Sequence, residues 1–253
     1  MSRSTKKAVY GAFYLILFAL VLWGGFRAFV PGQSCSDGVM NQGEKSVDCG
    51  GPCTPCAVQA EALRPGEVQV FSTEGGRTVF LSQVINPNAA YAAASFSYSF
   101  AMTDSAGRAL GSTPRKTDRI HASERRYLFE SEVPVPFPSA GRVALALSGV
   151  EWRQASELPR AELSALRIAT DVSADGIRVL GEVENRSPFG AREVKIVALL
   201  FDRFGGPLFA AQTVLDKVAG GETQTFPPIK FPSDEPLTRL ADPSATEVFV
   251  SGL

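Results

Sequence analysis

The chain has 253 residues, is 45% hydrophobic and 20% charged, and carries a formal net charge of -1. That near balance excludes a protein built to coat nucleic acid, which needs a clear excess of Lys and Arg. A single histidine, His121, removes most Ser-His-Asp, Cys-His and multi-histidine metal chemistries.

The averages hide a segregated chain. From Ala8 to Phe26 it reads AVYGAFYLILFALVLWGGF, without a charge. As a helix rising ~1.5 Å per residue, this run covers the ~30 Å hydrocarbon core of a bilayer. Residues 8–30 are therefore expected to be a transmembrane anchor, with Trp23 and Arg27 suited to the far interface. Arg3, Lys6 and Lys7 lie in the basic tail of residues 1–7, which the positive-inside rule keeps in the cytoplasm. The expectation is a single-pass protein of the cytoplasmic membrane, with everything after the anchor extracytoplasmic. A cleaved signal peptide would have a shorter apolar run ending at a small-x-small site. A lipoprotein would use Cys35, but Gly32, Gln33 and Ser34 make a poor lipobox. A buried core helix would not be apolar on every side.

Next comes CSDGVMNQGEKSVDCGGPCTPC, residues 35–56. Outside the cytoplasm, Cys35, Cys49, Cys53 and Cys56 are expected to form two disulfides, with three pairings open. Val39, Met40 and Val47 are too few to make a core, so the cross-links must hold the segment. A four-cysteine zinc site is the alternative. Asp37, Asn41, Glu44 and Asp48 gather hard oxygen donors of the kind calcium takes. The same residues also suit turns, as in Asp37-Gly38. The segment resembles a short Cys-rich module of extracytoplasmic bacterial proteins, C-x-D-G-x-x-N-x-G-E-x-x-x-D-C-G-G-x-C-x-x-C. The resemblance implies a surface-exposed, disulfide-linked stalk.

After a linker of residues 57–66, the period becomes that of strands. Phe96, Tyr98, Phe100 and Met102 alternate with small polar residues, and Val194, Ile196, Ala198 and Leu200 hold the same phase in a later segment. Both runs enter Asp-x-x-Gly, Asp104 to Gly107 and Asp202 to Gly205, a type I turn signature. Upstream, Phe80, Leu81, Val84 and Asn86 match Val179, Leu180, Val183 and Asn185; downstream, Glu124 matches Glu222. A duplication is expected, with domains at 67–153 and 165–253. Many short strands with regular turn signals predict a mainly β protein with two tandem immunoglobulin-like β-sandwiches. Here the sequence resembles the FxLYD and water-stress (WHy, late-embryogenesis-abundant) group of such domains. Ala198-Leu199-Leu200-Phe201-Asp202 and Phe100-Ala101-Met102-Thr103-Asp104 stand where the name-giving motif sits. That resemblance implies extracytoplasmic sandwiches without catalytic residues.

Arg115, Lys116, Arg119, Arg125 and Arg126 crowd around His121. They fit either contact with an acidic partner, such as a wall polymer or phospholipid headgroups, or a solvated β-edge that resists aggregation. His121 is expected at the surface. No phosphate-binding Gly loop or nucleophile elbow is present in the sequence. Asn185-Arg186-Ser187 matches a glycosylation sequon. The combined expectation is a non-enzymatic binding, adhesion or scaffold protein of the cell envelope. Its alternatives are a calcium-responsive stalk and an accessory subunit of an envelope enzyme or secretion complex.

Overall fold

The computed structural model describes residues 3–29, 35–41, 43–44, 47, 49, 51–53, 60–73, 76, 78–131, 133, 141–173, 176–233 and 235–253. The chain divides into two compact units, 1–59 and 60–253. In the first, helix α1 runs Arg3–Phe29 and is long and apolar enough to cross a membrane. Among its described side chains, none in the apolar stretch is buried. Val30, the last residue of the expected anchor, lies outside the described residues, as do Asp48 and Cys56.

The second unit is mainly β. Its first half contains β1 (Arg64–Ser72), β2 (Thr78–Ile85), β3 (Tyr91–Thr103), β4 (Ala109–Ser112), β5 (Lys116–Ile120), β6 (Arg125–Glu130) and β7 (Arg142–Gln154). The second half contains β8 (Leu163–Ser173), β9 (Gly176–Asn185), β10 (Ala191–Phe201), β11 (Pro207–Val218), β12 (Thr223–Thr225), β13 (Ile229–Lys230) and β14 (Glu247–Ser251), with a short helix α2 (Glu235–Leu240) before the last strand. The linker is shorter than expected from sequence, because Arg64 and Pro65 already pair with Ile85 and Val84 and Gly66 lies within β1 at a register shift.

Pairing follows one plan twice. In the first half, β1-β2-β6 form one sheet; in the other, β7 pairs one side of β3 while β4 and β5 share the opposite side. In the second half, β8 pairs one side of β9 while β12 and β13 share the other, and β11-β10-β14 form the second sheet. The motifs found in sequence anchor this repeat. Asp104 Oδ1 accepts from the Ala106 and Arg108 amides at 2.9 Å, and Asp202 Oδ1 from Phe204 and Gly206 at 2.8 Å. Each turn closes through a glycine at positive φ, +79° at Gly107 and +81° at Gly205, which a side chain would strain.

The halves share a core rather than sitting as separate beads. Alternate residues of β2 serve two purposes: Phe80 and Val84 pack into the first half's core, whereas Val79 and Leu81 join the second half's. Phe71 of β1 does likewise. On β10, Val194, Ile196, Ala198 and Leu200 fill the second half's own interior, while Lys195 and Val197, of the other phase, meet residues of the first half. Strands buried on both faces read as continuous apolar runs, which is why TVFL and IVALLF lack strict alternation.

Candidate functional site

Three features bear on function, beginning with the cysteine module. Cys35 and Cys53 form a disulfide with Cα atoms 5.5 Å apart, and Cys49 is also disulfide-bonded. Oxidised sulfur is not a thiolate ligand, so this pairing overturns the four-cysteine zinc alternative. Gly51, at φ +57°, lies so close to the Gly43 carbonyl that a Cβ would collide with it. Among the oxygen donors, Asp37 Oδ1 accepts from the Val39 amide at 2.9 Å and Oδ2 from Asn41 Nδ2 at 2.9 Å. Glu44 is buried; its Oε2 accepts from the Asn41 amide at 3.3 Å and its Oε1 lies 3.2 Å from Cys53 Sγ. The described donors thus cap their own turns. Asn41 Oδ1 is buried with no partner among the described residues.

The second feature is the junction between the two β halves. On β6, period-two alternation sends Arg125 and Arg126 to opposite faces. Arg125 is exposed, whereas Arg126 is 1% exposed and donates four hydrogen bonds. Its Nη1 donates to Asp118 Oδ1 at 2.8 Å, its Nε and Nη2 to Glu124 Oε1 at 3.2 and 3.1 Å, and its Nη2 to the Gly252 carbonyl at 2.7 Å. From β10, Lys195 Nζ donates to Asp118 Oδ2 at 2.7 Å. Two carboxylates are therefore matched by two cations, with partners drawn from both halves.

His121 completes the cluster. Its amide and Nδ1 both approach Glu124 Oε2, at 2.6 and 2.9 Å. An ionised carboxylate can only accept, so Nδ1 carries the proton. Burial pushes the Glu124 carboxyl up, but the His121 hydrogen bonds and the Arg126 charge outweigh it and hold it at about 2. A carboxylate so occupied is a poor proton acceptor near neutral pH and acts as a tether. Nearby, burial first and the charges of Asp118 and Glu130 second push the Tyr98 hydroxyl up.

The basic patch expected from sequence is thus not one surface. Arg115 and Arg125 are exposed, Arg119 is half-buried, Lys116 sits 2.9 Å from Glu130 Oε2, and Arg126 is internal. His121 is buried at 6% exposure, which corrects the expectation of a surface histidine. The sequon asparagine is also internal: Asn185 is fully buried, and its Nδ2 donates to the Phe189 and Val218 carbonyls at 2.9 and 3.2 Å. Lys195 and the Gly252 carbonyl went unnoticed in the sequence because strand pairing, not proximity along the chain, brings them to the cluster. The two-faced apolar run of β10 was the available signal that its other face meets a partner.

The third feature is a groove of about 550 Å³ beside this junction. Arg125 and Tyr127 of β6, Arg160 of the connection between halves, residues 163–165 of β8, and residues 247–251 of β14 form its walls. Tyr127 and Phe249 meet with ring centroids 4.3 Å apart. Burial and the Glu247 charge push the Tyr127 hydroxyl up, and Arg125 opposes them.

No protein-family model matches the chain, and no curated protein matches it in sequence. Among solved structures, it is similar to a calcium-binding mutant of Bacteroides uniformis beta-glucuronidase 2, at 12% identity and a TM-score of 0.19. The similarity covers 89% of this chain and 31% of that one, so this chain spans about a third of that protein's length. A likeness at that score carries no functional argument.

Proposed function

We propose that the chain is a membrane-anchored, extracytoplasmic binding or scaffold protein of a bacterial cell envelope, without enzymatic activity. In this reading residues 1–7 stay in the cytoplasm, α1 spans the bilayer, the Cys-rich module forms a stalk, and two immunoglobulin-like sandwiches stand outside. The carrying observation is the order of parts: an apolar helix with none of its described side chains buried, then a cross-linked module of a kind that persists in oxidising compartments. The sandwich reading draws on two facing sheets per half, strung in the same order twice. The resemblance to FxLYD and WHy domains agrees with it.

The test has two parts. Protease added to spheroplasts should digest the β unit, and its cysteines should resist alkylation until reduced. A protected β unit, or four thiols that react without reductant, overturns the topology. Crosslinking in intact cells should then trap a discrete envelope partner, and trapping none overturns the binding role.

A calcium-responsive stalk is a second reading, favoured by the buried Asn41 Oδ1, which has no partner among the described residues and lies beside Asp37 and Glu44. Millimolar calcium should then raise the melting temperature of the stalk, and Asp37→Ala should abolish the rise. An unchanged temperature sinks it.

A further inference from the structure

We infer that the groove along β14 receives an extended acidic peptide as an added strand; this rests on the binding role proposed above and names the partner's chemistry. Five successive residues, Glu247–Ser251, line the groove. A strand seen face-on shows alternate residues, so an unbroken run means that the strand presents its edge. Among the described residues, β14 pairs with β10 alone, and no backbone group of Glu247–Ser251 bonds outside that ladder. Alternate N–H and C=O groups of β14 therefore have no backbone partner among the described residues.

Several other strands at sheet edges carry deterrents. Pro65 sits in β1, Lys116 in β5, Arg125 and Arg126 in β6, Arg167 in β8 and Pro207 in β11. β14 reads EVFVS and, like the four-residue β4 and the three-residue β12, has no Pro, Lys or Arg to discourage pairing. Its edge is also recessed in a cavity rather than flat on the surface, so access is restricted to a slender extended segment.

Charge selects the occupant. Arg125 and Arg160 stand exposed on the walls, and among the described residues neither makes a salt bridge. The one carboxylate in the lining is Glu247. Two uncommitted guanidiniums against one carboxylate favour Asp or Glu side chains on the added strand, each able to take a paired hydrogen bond. The cavity volume lies within the range of ordinary ligand sites, roughly 300 to 1,000 Å³.

The full chain in lipid nanodiscs, panned against a displayed library of random peptides, tests this. Enriched peptides should be rich in Asp and Glu, and Arg125→Ala and Arg160→Ala should each weaken their binding about tenfold. N-methylation of alternate amides in an enriched peptide should abolish binding in one phase and spare it in the other. No enrichment, non-acidic peptides, variants that bind equally, or indifference to methylation in both phases overturns the proposal. Dimerisation through this groove, read by sedimentation and reversed by no acidic peptide, assigns it to a second copy and overturns it too. In cells, a partner trapped equally by wild type and by the Arg125→Ala/Arg160→Ala double variant removes the groove from the binding role but leaves that role standing. A wild type that traps nothing removes both.

Discussion

At the end of the second strand of each half, a fully buried asparagine organises the following turn. Asn86 Nδ2 donates to the Tyr91 and His121 carbonyls at 2.8 and 2.9 Å, and its Oδ1 accepts the Asn88 amide at 3.0 Å. Asn185 repeats the pattern with Phe189, Val218 and Ser187. The backbone agrees as well: the Glu124 amide donates to the His121 carbonyl and the Glu222 amide to the Ala219 carbonyl, both at 3.3 Å. Beyond that point the halves diverge. His121, Glu124 and Arg126 are buried, while Ala219, Glu222 and Gln224, at the matching positions, are half-buried or exposed. One turn therefore serves as frame in both halves, and only in the first was it filled with charge that reaches the other half. A duplicated backbone is kept by its asparagines; which copy docks is decided by side chains the backbone does not need.

The largest test of this contrast is Arg126→Ala. It strands Asp118 and Glu124 in a dry site and is expected to cost about 3–5 kcal/mol by denaturant titration. A loss near zero would mean the cluster is no junction. Next comes acid. The Glu124 carboxyl is held at about 2 against an ordinary 4.5, so its contribution is complete above pH 4.5 and is lost as pH falls toward 2. Stability should drop by about 3 kcal/mol across that window, and Glu124→Gln should flatten the slope. Asn86→Ala and Asn185→Ala should cost about 2 kcal/mol apiece, since each strands buried donors and acceptors. Markedly unequal losses would break the equivalence of the two frames. Lys195→Met, which removes a half-buried partner of Asp118, should cost about 1 kcal/mol, and Gln224→Ala should stay within about 0.5 kcal/mol.

Legibility in the sequence followed the range of the interactions. Asp104 and Asp202, Asn86 and Asn185 act on backbone a few residues away, so their spacing displayed the duplication directly. Alternation at Phe96, Tyr98, Phe100 and Met102 likewise revealed β3, because only one of its faces is apolar. The junction stayed hidden for the opposite reason. Arg126 bonds to Gly252, 126 positions away, and Lys195 to Asp118, 77 positions away. Five basic residues close in sequence looked like one patch, yet strand alternation and burial distributed them between interior, groove and open surface. Arg125 and Arg126 are adjacent in the chain but face different environments for that reason alone.

The shared core also sets a problem of timing. During synthesis the first half emerges before β9 and β10 exist, and N-terminal segments generally begin to fold first. Phe71, Val79 and Leu81, which end in the second half's core, then have nothing to cover them. Until then the nascent chain should depend on a holding chaperone, and a fragment ending near residue 160 should aggregate where the full chain stays monodisperse. Fusion of the two halves makes the first one an obligate client of the second.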